Sequence, residues 1–197
     1  MEDSTKIKAE KETRVSDVLK RKTLDVHRVV ESTGFMKDLL SPSLIIESYT
    51  KILVRILGAL LPIESSLARS SYLREFSSVI DRVSIAKLQQ DIAVLSRGFA
   101  PPKVIQEPFS PCPSIGATAG VLYVLEGSAN GGRVFYQFLS NRLGLTEDAG
   151  LSYFAMQAST AGLRFSAFKE ELNKKLNAND LEPAVDFAKL TFRRFAP

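Results

Sequence analysis

The fold turns on one stretch, Gly116-Ala117-Thr118-Ala119-Gly120-Val121-Leu122-Tyr123-Val124-Leu125-Glu126-Gly127-Ser128-Ala129-Asn130-Gly131-Gly132-Arg133-Val134-Phe135. It predicts a helix that starts at Ser114, whose hydroxyl can accept from exposed backbone amides, and runs toward Leu143, where Gly144 stops it. A glycine inside a helix costs about 1 kcal/mol relative to alanine. Gly127, Gly131 and Gly132, set among strong helix formers, therefore need a reason. At ~100° per residue, Gly116, Gly120, Gly127 and Gly131 fall within about 60° of one another and form one stripe without side chains. Such a stripe admits either a flat cofactor or the backbone of a second helix. Gly132 lies off it and is expected to loosen the helix. A phosphate-binding loop is a poorer reading, because the pattern Gly-x-x-x-x-Gly-Lys-Ser/Thr is absent and no strand precedes the glycines.

Working outward, Thr146 predicts the start of a helix reaching about Leu176. Asn179 or Asp180 starts a last one that carries Phe187, Leu190, Phe192 and Phe195. Upstream, residues 97–113 hold Gly98, Pro101, Pro102, Pro108, Pro111 and Pro113 and read as a long surface loop. Before it, Leu73, Phe76, Ile80, Val83, Leu88, Ile92 and Leu95 predict a helical region from Tyr72 to Leu95. Ser41-Pro42 is expected to open a helix with an apolar face of Leu44, Ile45, Tyr49, Ile52, Ile56, Leu57 and Leu60, kinked or ended by Pro62. A first helix is expected from Ser16-Asp17, as cap, to Gly34. Residues 1–14 read as a disordered polar tail, which leaves 15–197 as the helical domain. Nowhere do β-branched or aromatic residues alternate cleanly with polar ones. The chain is expected to be all-α, with about six or seven helices and no internal repeat.

At 197 residues, 45% hydrophobic and 24% charged, the composition is that of a globular domain. The formal net charge of +4, from 26 basic and 22 acidic residues, suits an anionic ligand or an acidic partner. No Lys/Arg block or aromatic-interleaved basic stripe points to nucleic acid. Arg55 breaks the most apolar run, so no membrane span is expected, and the charged N-terminus lacks a signal-peptide core, so a cytoplasmic location is expected. The only cysteine, Cys112 in Ser110-Pro111-Cys112-Pro113, excludes an intrachain disulfide framework and reads as a structural thiol.

The second informative segment runs from Leu19 to Glu31 and holds the only histidine, His27. With His27 at zero, Lys20 lies about 20° away, and Thr23 and Glu31 about 40° to either side, all on one helical face. A neutral imidazole is an axial ligand for haem iron. Its other ring nitrogen needs an acceptor, which Glu31, one turn on, can provide. Lys20 can meet a carboxylate. The plain alternative is a surface or core histidine.

Together, Leu19-x-x-x-Thr23-x-x-x-His27-x-x-x-Glu31 and Tyr123-Val124-Leu125-Glu126-Gly127-Ser128-x-x-Gly131-Gly132 resemble the heme oxygenase family, most closely the bacterial branch that often serves bacterial phytochromes. The resemblance covers about Val15 to Pro197. It implies an all-α helical bundle with haem between a proximal helix and a kinked distal helix. Haem would be both cofactor and substrate, opened to biliverdin, carbon monoxide and ferrous iron with O2 and reducing equivalents from a donor such as a ferredoxin or a flavin reductase. It implies His27 as the iron ligand and Glu31 as its orienting residue. Lys20 matches a propionate partner, with Thr23, Tyr123 and Arg133 also placed at the cofactor. Gly127, Ser128, Asn130 and Gly131 match the distal catalytic segment. Monomer and dimer both remain open.

One position departs from the mammalian pattern. Ser128 stands where an aspartate organises water, and Asn130, Arg133 or a backbone carbonyl are the candidate substitutes. The second propionate partner is open among Arg133, Arg164 and Lys169, each otherwise a solvated surface charge. Two alternatives to catalysis are a haem carrier or sensor of the same fold, and a haem-free interaction module using the proline-rich loop and the aromatic last helix. Di-iron chemistry is disfavoured, since one histidine cannot supply two Glu-x-x-His motifs.

Overall fold

A computed structural model describes residues 14–79 and 84–196. Among these residues there are no strands, and the helices are α1 (Val15–Lys22), α2 (Leu24–Ser32), α3 (Gly34–Asp38), α4 (Ile46–Ala68), α5 (Ser84–Leu95), α6 (Ile115–Ser128), α7 (Gly132–Leu143), α8 (Ser152–Lys175) and α9 (Ala178–Arg193). The expected tail, apart from Arg14, lies outside the described residues, as do Ile80 and Val83.

At the centre is α6. Every residue from Gly116 to Glu126 is buried, the mark of a helix enclosed on all sides rather than amphipathic. Ser114 caps it as expected, its hydroxyl accepting from the Ala117 amide at 3.1 Å. The closest neighbour is α9. A Cβ placed on Gly116 would collide with the Asp180 carbonyl oxygen, and one on Gly120 with that of Ala184. Two contacts four residues apart on both helices mean that α6 and α9 run parallel, backbone against backbone. This half of the glycine stripe therefore serves the second helix, not a flat ligand.

The departures from the expected boundaries have both local and remote causes. Neither Ser16 nor Asp17 caps α1 through its side chain. The helix starts at Val15, and the Ser16 amide donates instead to Asn173 Oδ1 of α8 at 3.1 Å. The helix expected at Ser41-Pro42 begins only at Ile46, because Ser41 and Ser43 bond to each other in a turn. Pro62 neither ends nor interrupts α4, which continues to Ala68. The amide that Pro62 lacks would have served Gly58, whose bare Cα receives the Ile105 carbonyl. Among the described residues of the Tyr72–Leu95 region are two short 3-10 turns, Leu73–Glu75 and Ser77–Val79, and α5. The last helix starts earlier than expected. The Asn177 side chain accepts from Asn179 N at 2.8 Å while Asp180 Oδ2 accepts from Asn177 N at 3.0 Å, a reciprocal cap. Gly144 closes α7 at φ 66°.

The proline-rich loop is long and on the surface, yet strapped down. Phe109 and Cys112 are buried. Phe109 packs on Phe187 with centroids 6.5 Å apart, Ser66 donates to the Ser110 carbonyl at 2.8 Å, and Arg194 pairs with Glu107 at 2.8 Å. Burial pushes the Cys112 thiol up, partly countered by its contact with Ser66, so it is an inert core group. Asp91 of α5 caps α8, accepting from Ser152 N at 2.9 Å, Ser152 Oγ at 2.7 Å and Tyr153 N at 2.9 Å.

Candidate functional site

The face expected to carry Lys20, Thr23, His27 and Glu31 is divided by a break between α1 and α2. Thr23 sits at the break with φ −111° and ψ 2°. It is buried, and its hydroxyl donates to the Leu19 carbonyl at 2.7 Å, a back-bond that loosens a helix at a β-branched residue. Lys20 is exposed. The His27 amide still donates to the Thr23 carbonyl at 3.0 Å, so His27 and Glu31 keep helical register beyond the break. The His27 side chain is 44% exposed, and Nδ1 lies 3.3 Å from Glu31 Oε2. Phe192 of α9 meets the imidazole edge-on, with centroids 5.3 Å apart and planes at 88°. An N–H on Nδ1 directed at Glu31 leaves the Nε2 lone pair for a metal.

In the glycine segment, α6 ends at Ser128, a 3-10 turn covers Ala129–Gly131, and α7 resumes at Gly132. Side chains help make this turn as well as the glycines. Ser128 Oγ donates to the Leu125 carbonyl at 2.9 Å and Asn130 Nδ2 to the Gly127 carbonyl at 3.2 Å, offering the backbone partners other than the α-helical ladder. The second half of the stripe differs from the first. A Cβ on Gly127 would meet only the Phe165 ring edge, at 3.4 Å, and one on Gly131 only the Phe135 ring, at 3.1 Å. Gly132 does not merely loosen the helix. A Cβ there would strike Gln157 of α8, so this glycine lets α7 close on α8.

Phe165, on α8, therefore covers the bare face of Gly127. Tyr123 stands 5.7 Å from it, ring to ring, and Lys169 Nζ sits 5.1 Å from its centroid, within cation–π range. Tyr123 is buried. Burial first, and then the charge of Asp17, raises its hydroxyl pKa, so it stays a neutral phenol. Arg133 is exposed on α7. Arg164 is not a solvated charge. Its Nε and Nη2 donate to Glu126 Oε2 at 2.9 and 2.7 Å, and Glu126 is fully buried while Arg164 is 26% exposed.

Sequence reasoning thus missed Phe165, Phe192 and the role of Glu126. Glu126 was the legible one, a lone carboxylate in the apolar run from Val121 to Leu125. The two phenylalanines reach the site from remote helices and carried no local signal. Phe187 and Phe192 pack inward, on Phe109 and His27, which removes the aromatic partner surface considered for the last helix. Among the described residues, no group of three or more His, Cys, Asp or Glu side chains is arranged to hold a metal ion, and no helix is long and apolar enough to cross a membrane.

An all-α bundle built round a glycine-broken helix, with its single histidine on the N-terminal helices, is the arrangement that the resemblance to the helical haem oxygenases implied. A sequence model of the family described as heme oxygenase matches residues 13–196. The chain belongs to the heme oxygenase family and is a haem-degrading enzyme. Its fold is similar to the heme oxygenase of Leptospira interrogans, with a TM-score of 0.69 and 17% identity over 93% of this chain and 98% of that one. A sequence search of curated proteins found no match.

Proposed function

We propose that His27 binds the haem iron and that the turn Gly127–Gly131 forms the opposite wall of the haem site. The observation that carries this is the His27–Glu31 contact, 3.3 Å on a half-exposed imidazole. With its proton on the nitrogen facing Glu31, the ring keeps the other nitrogen for iron. The donor set fits haem, which needs one protein ligand, a neutral imidazole being a common one. Bound haem supplies the iron that activates O2 and the ring that is cleaved, giving biliverdin, carbon monoxide and ferrous iron.

The chain's own residues bind and orient. Gly127 and Gly131 carry no side chain of their own, and only the Phe165 and Phe135 rings, which can swing aside for haem, lie against them. Ser128 Oγ and one N–H of Asn130 donate to the Leu125 and Gly127 carbonyls, and both side chains keep an oxygen able to accept. Lys20 and Lys169 are the cations for the propionates, and Lys169 is the better placed, lying on the ring that covers Gly127. Arg164 is withdrawn from that role by Glu126. Thr23 holds the break that sets the angle of α2, Tyr123 backs Phe165, and Arg133 lies at the outer rim. A cytoplasmic ferredoxin or flavin reductase is the electron source in this reading.

The test is a hemin titration of the purified protein, followed by addition of a reductant. A Soret band of a histidine-ligated haem should form and give way to a biliverdin spectrum. His27→Ala should lose that band, and imidazole in the buffer should restore it. A spectrum unchanged by His27→Ala refutes the assignment.

A further inference from the structure

We propose that Phe192 is a positioning residue for the haem ligand: its ring, fixed on α9, sets the plane of the His27 imidazole and so the direction of the nitrogen left for iron. The proposal rests on His27 as the ligand, as assigned above, while the contact itself stands without haem. The ligand's own helix is weakly held. Of the nine residues of α2, only Val30 is buried. The last side-chain torsion of a histidine is broad, with no narrow rotamer to fix the ring. Glu31 meets Nδ1 at 3.3 Å, but its side chain is 65% exposed, so the carboxylate can follow the ring as readily as hold it. A contact to one nitrogen also leaves the ring free to turn about that contact, which swings the other nitrogen.

Phe192 removes this freedom. It meets the imidazole at 88° with centroids 5.3 Å apart, inside the range of favourable edge-to-face pairs. Unlike Glu31 it is buried, at 7% exposed, and its helix cannot withdraw. Beside it, Thr191 is fully buried and donates to the Phe187 carbonyl at 2.7 Å. Upstream, α9 lies backbone to backbone on α6 at Gly120. Downstream, Arg194 pairs with Glu107, donates to the Pro108 carbonyl and stands 5.7 Å over the Phe109 ring. The chain is thus pinned on both sides of Phe192, whose ring is a fixed wall for a loosely held imidazole. Outer partners of a metal-binding histidine orient it, and their loss costs about 10–100-fold in affinity or activity.

The experiment uses the full chain without a histidine tag, so that His27, the only histidine, gives one set of imidazole proton signals. Phe192→Leu and Phe192→Met remove the ring and keep apolar bulk. Phe192→Tyr keeps the ring, and Phe187→Leu removes a ring of the same helix that faces Phe109 instead. In the protein without haem, the Phe192 ring current should displace the His27 signals. Both ringless variants should lose that displacement, while Phe192→Tyr and Phe187→Leu keep it. With hemin bound and reduced, the iron–histidine stretching band should shift and broaden in the ringless variants alone, and hemin should leave them about tenfold faster. Either one that folds is decisive. His27 signals or a stretching band indifferent to loss of the ring overturn the proposal, as does an equal change in Phe187→Leu, the mark of a general loosening of α9. If neither folds, the wild-type signals decide, since imidazole shifts equal to those of free histidine refute the contact. Failure of the ligand assignment looks different: a haem spectrum indifferent to His27→Ala, with the displaced His27 signals of the haem-free wild type intact.

Discussion

The glycine stripe predicts opposite outcomes for one substitution made at two positions. At Gly120, an alanine Cβ would penetrate the Ala184 carbonyl, with the carbonyl carbon at 2.9 Å and Cα at 3.0 Å. Comfortable carbon–carbon contact needs about 3.5–4.0 Å, so α9 must withdraw by roughly 1 Å, and because the obstacle is backbone no rotamer change can absorb the strain. Overpacking of this kind costs about 1–3 kcal/mol and at times more, and the gain of about 1 kcal/mol in helix propensity offsets only part of it. Gly120→Ala should therefore lose about 2 kcal/mol, a fall in Tm of about 4–8 °C for a chain of this size. At Gly127, the new methyl would touch the Phe165 ring at 3.4 Å, an ordinary contact. Gly127→Ala should be as stable as wild type or up to about 1 kcal/mol more stable, yet should turn over haem at least tenfold more slowly, since its methyl would remain in the space that haem takes when it displaces the Phe165 ring. Thermal unfolding followed by circular dichroism, with hemin turnover on the same preparations, measures both. If Gly120→Ala melts at or above the wild-type temperature, the backbone contact between α6 and α9 is wrong. If Gly127→Ala turns over normally, the glycine is not there for haem.

Asn173→Ala should cost about 1 kcal/mol, because the Ser16 amide loses its acceptor, and hydrogen exchange should rise first in α1. Asp91→Ala should cost about 2–4 kcal/mol, since three donors at the start of α8 lose their acceptor at once; denaturant unfolding measures it. Glu171 contributes a pH dependence. Burial acts to raise its carboxyl, but hydrogen bonds from Ser77 and Ser78 outweigh this and hold it below the ordinary glutamate value. That stability is present above about pH 4.3 and is lost as pH falls through the lower folded value. Ser77→Ala/Ser78→Ala should flatten the fall in an acid titration of stability. Asp91, raised mainly by burial, acts in the opposite sense, adding stability as pH drops through its folded value.

By itself the sequence determined the all-α class, the helix ends at Ser114 and Gly144, and the break in the glycine segment. Ser114, Gly144 and the turn at Gly127–Gly132 are legible because a cap, a left-handed glycine or a helix break needs only near neighbours. The pairing of His27 with Glu31 was legible for the same reason, being one turn of one helix. Tertiary structure decided what each glycine is for. Gly116 and Gly120 face the backbone of α9, Gly132 faces Gln157, and only Gly127 and Gly131 face movable rings. A helical wheel gives direction but not what lies in that direction. The same limit hid Asn173 as the acceptor for α1, Phe192 beside His27 and Arg164 on Glu126. Each partner lies far along the chain, and such contacts are selected by how whole helices pack.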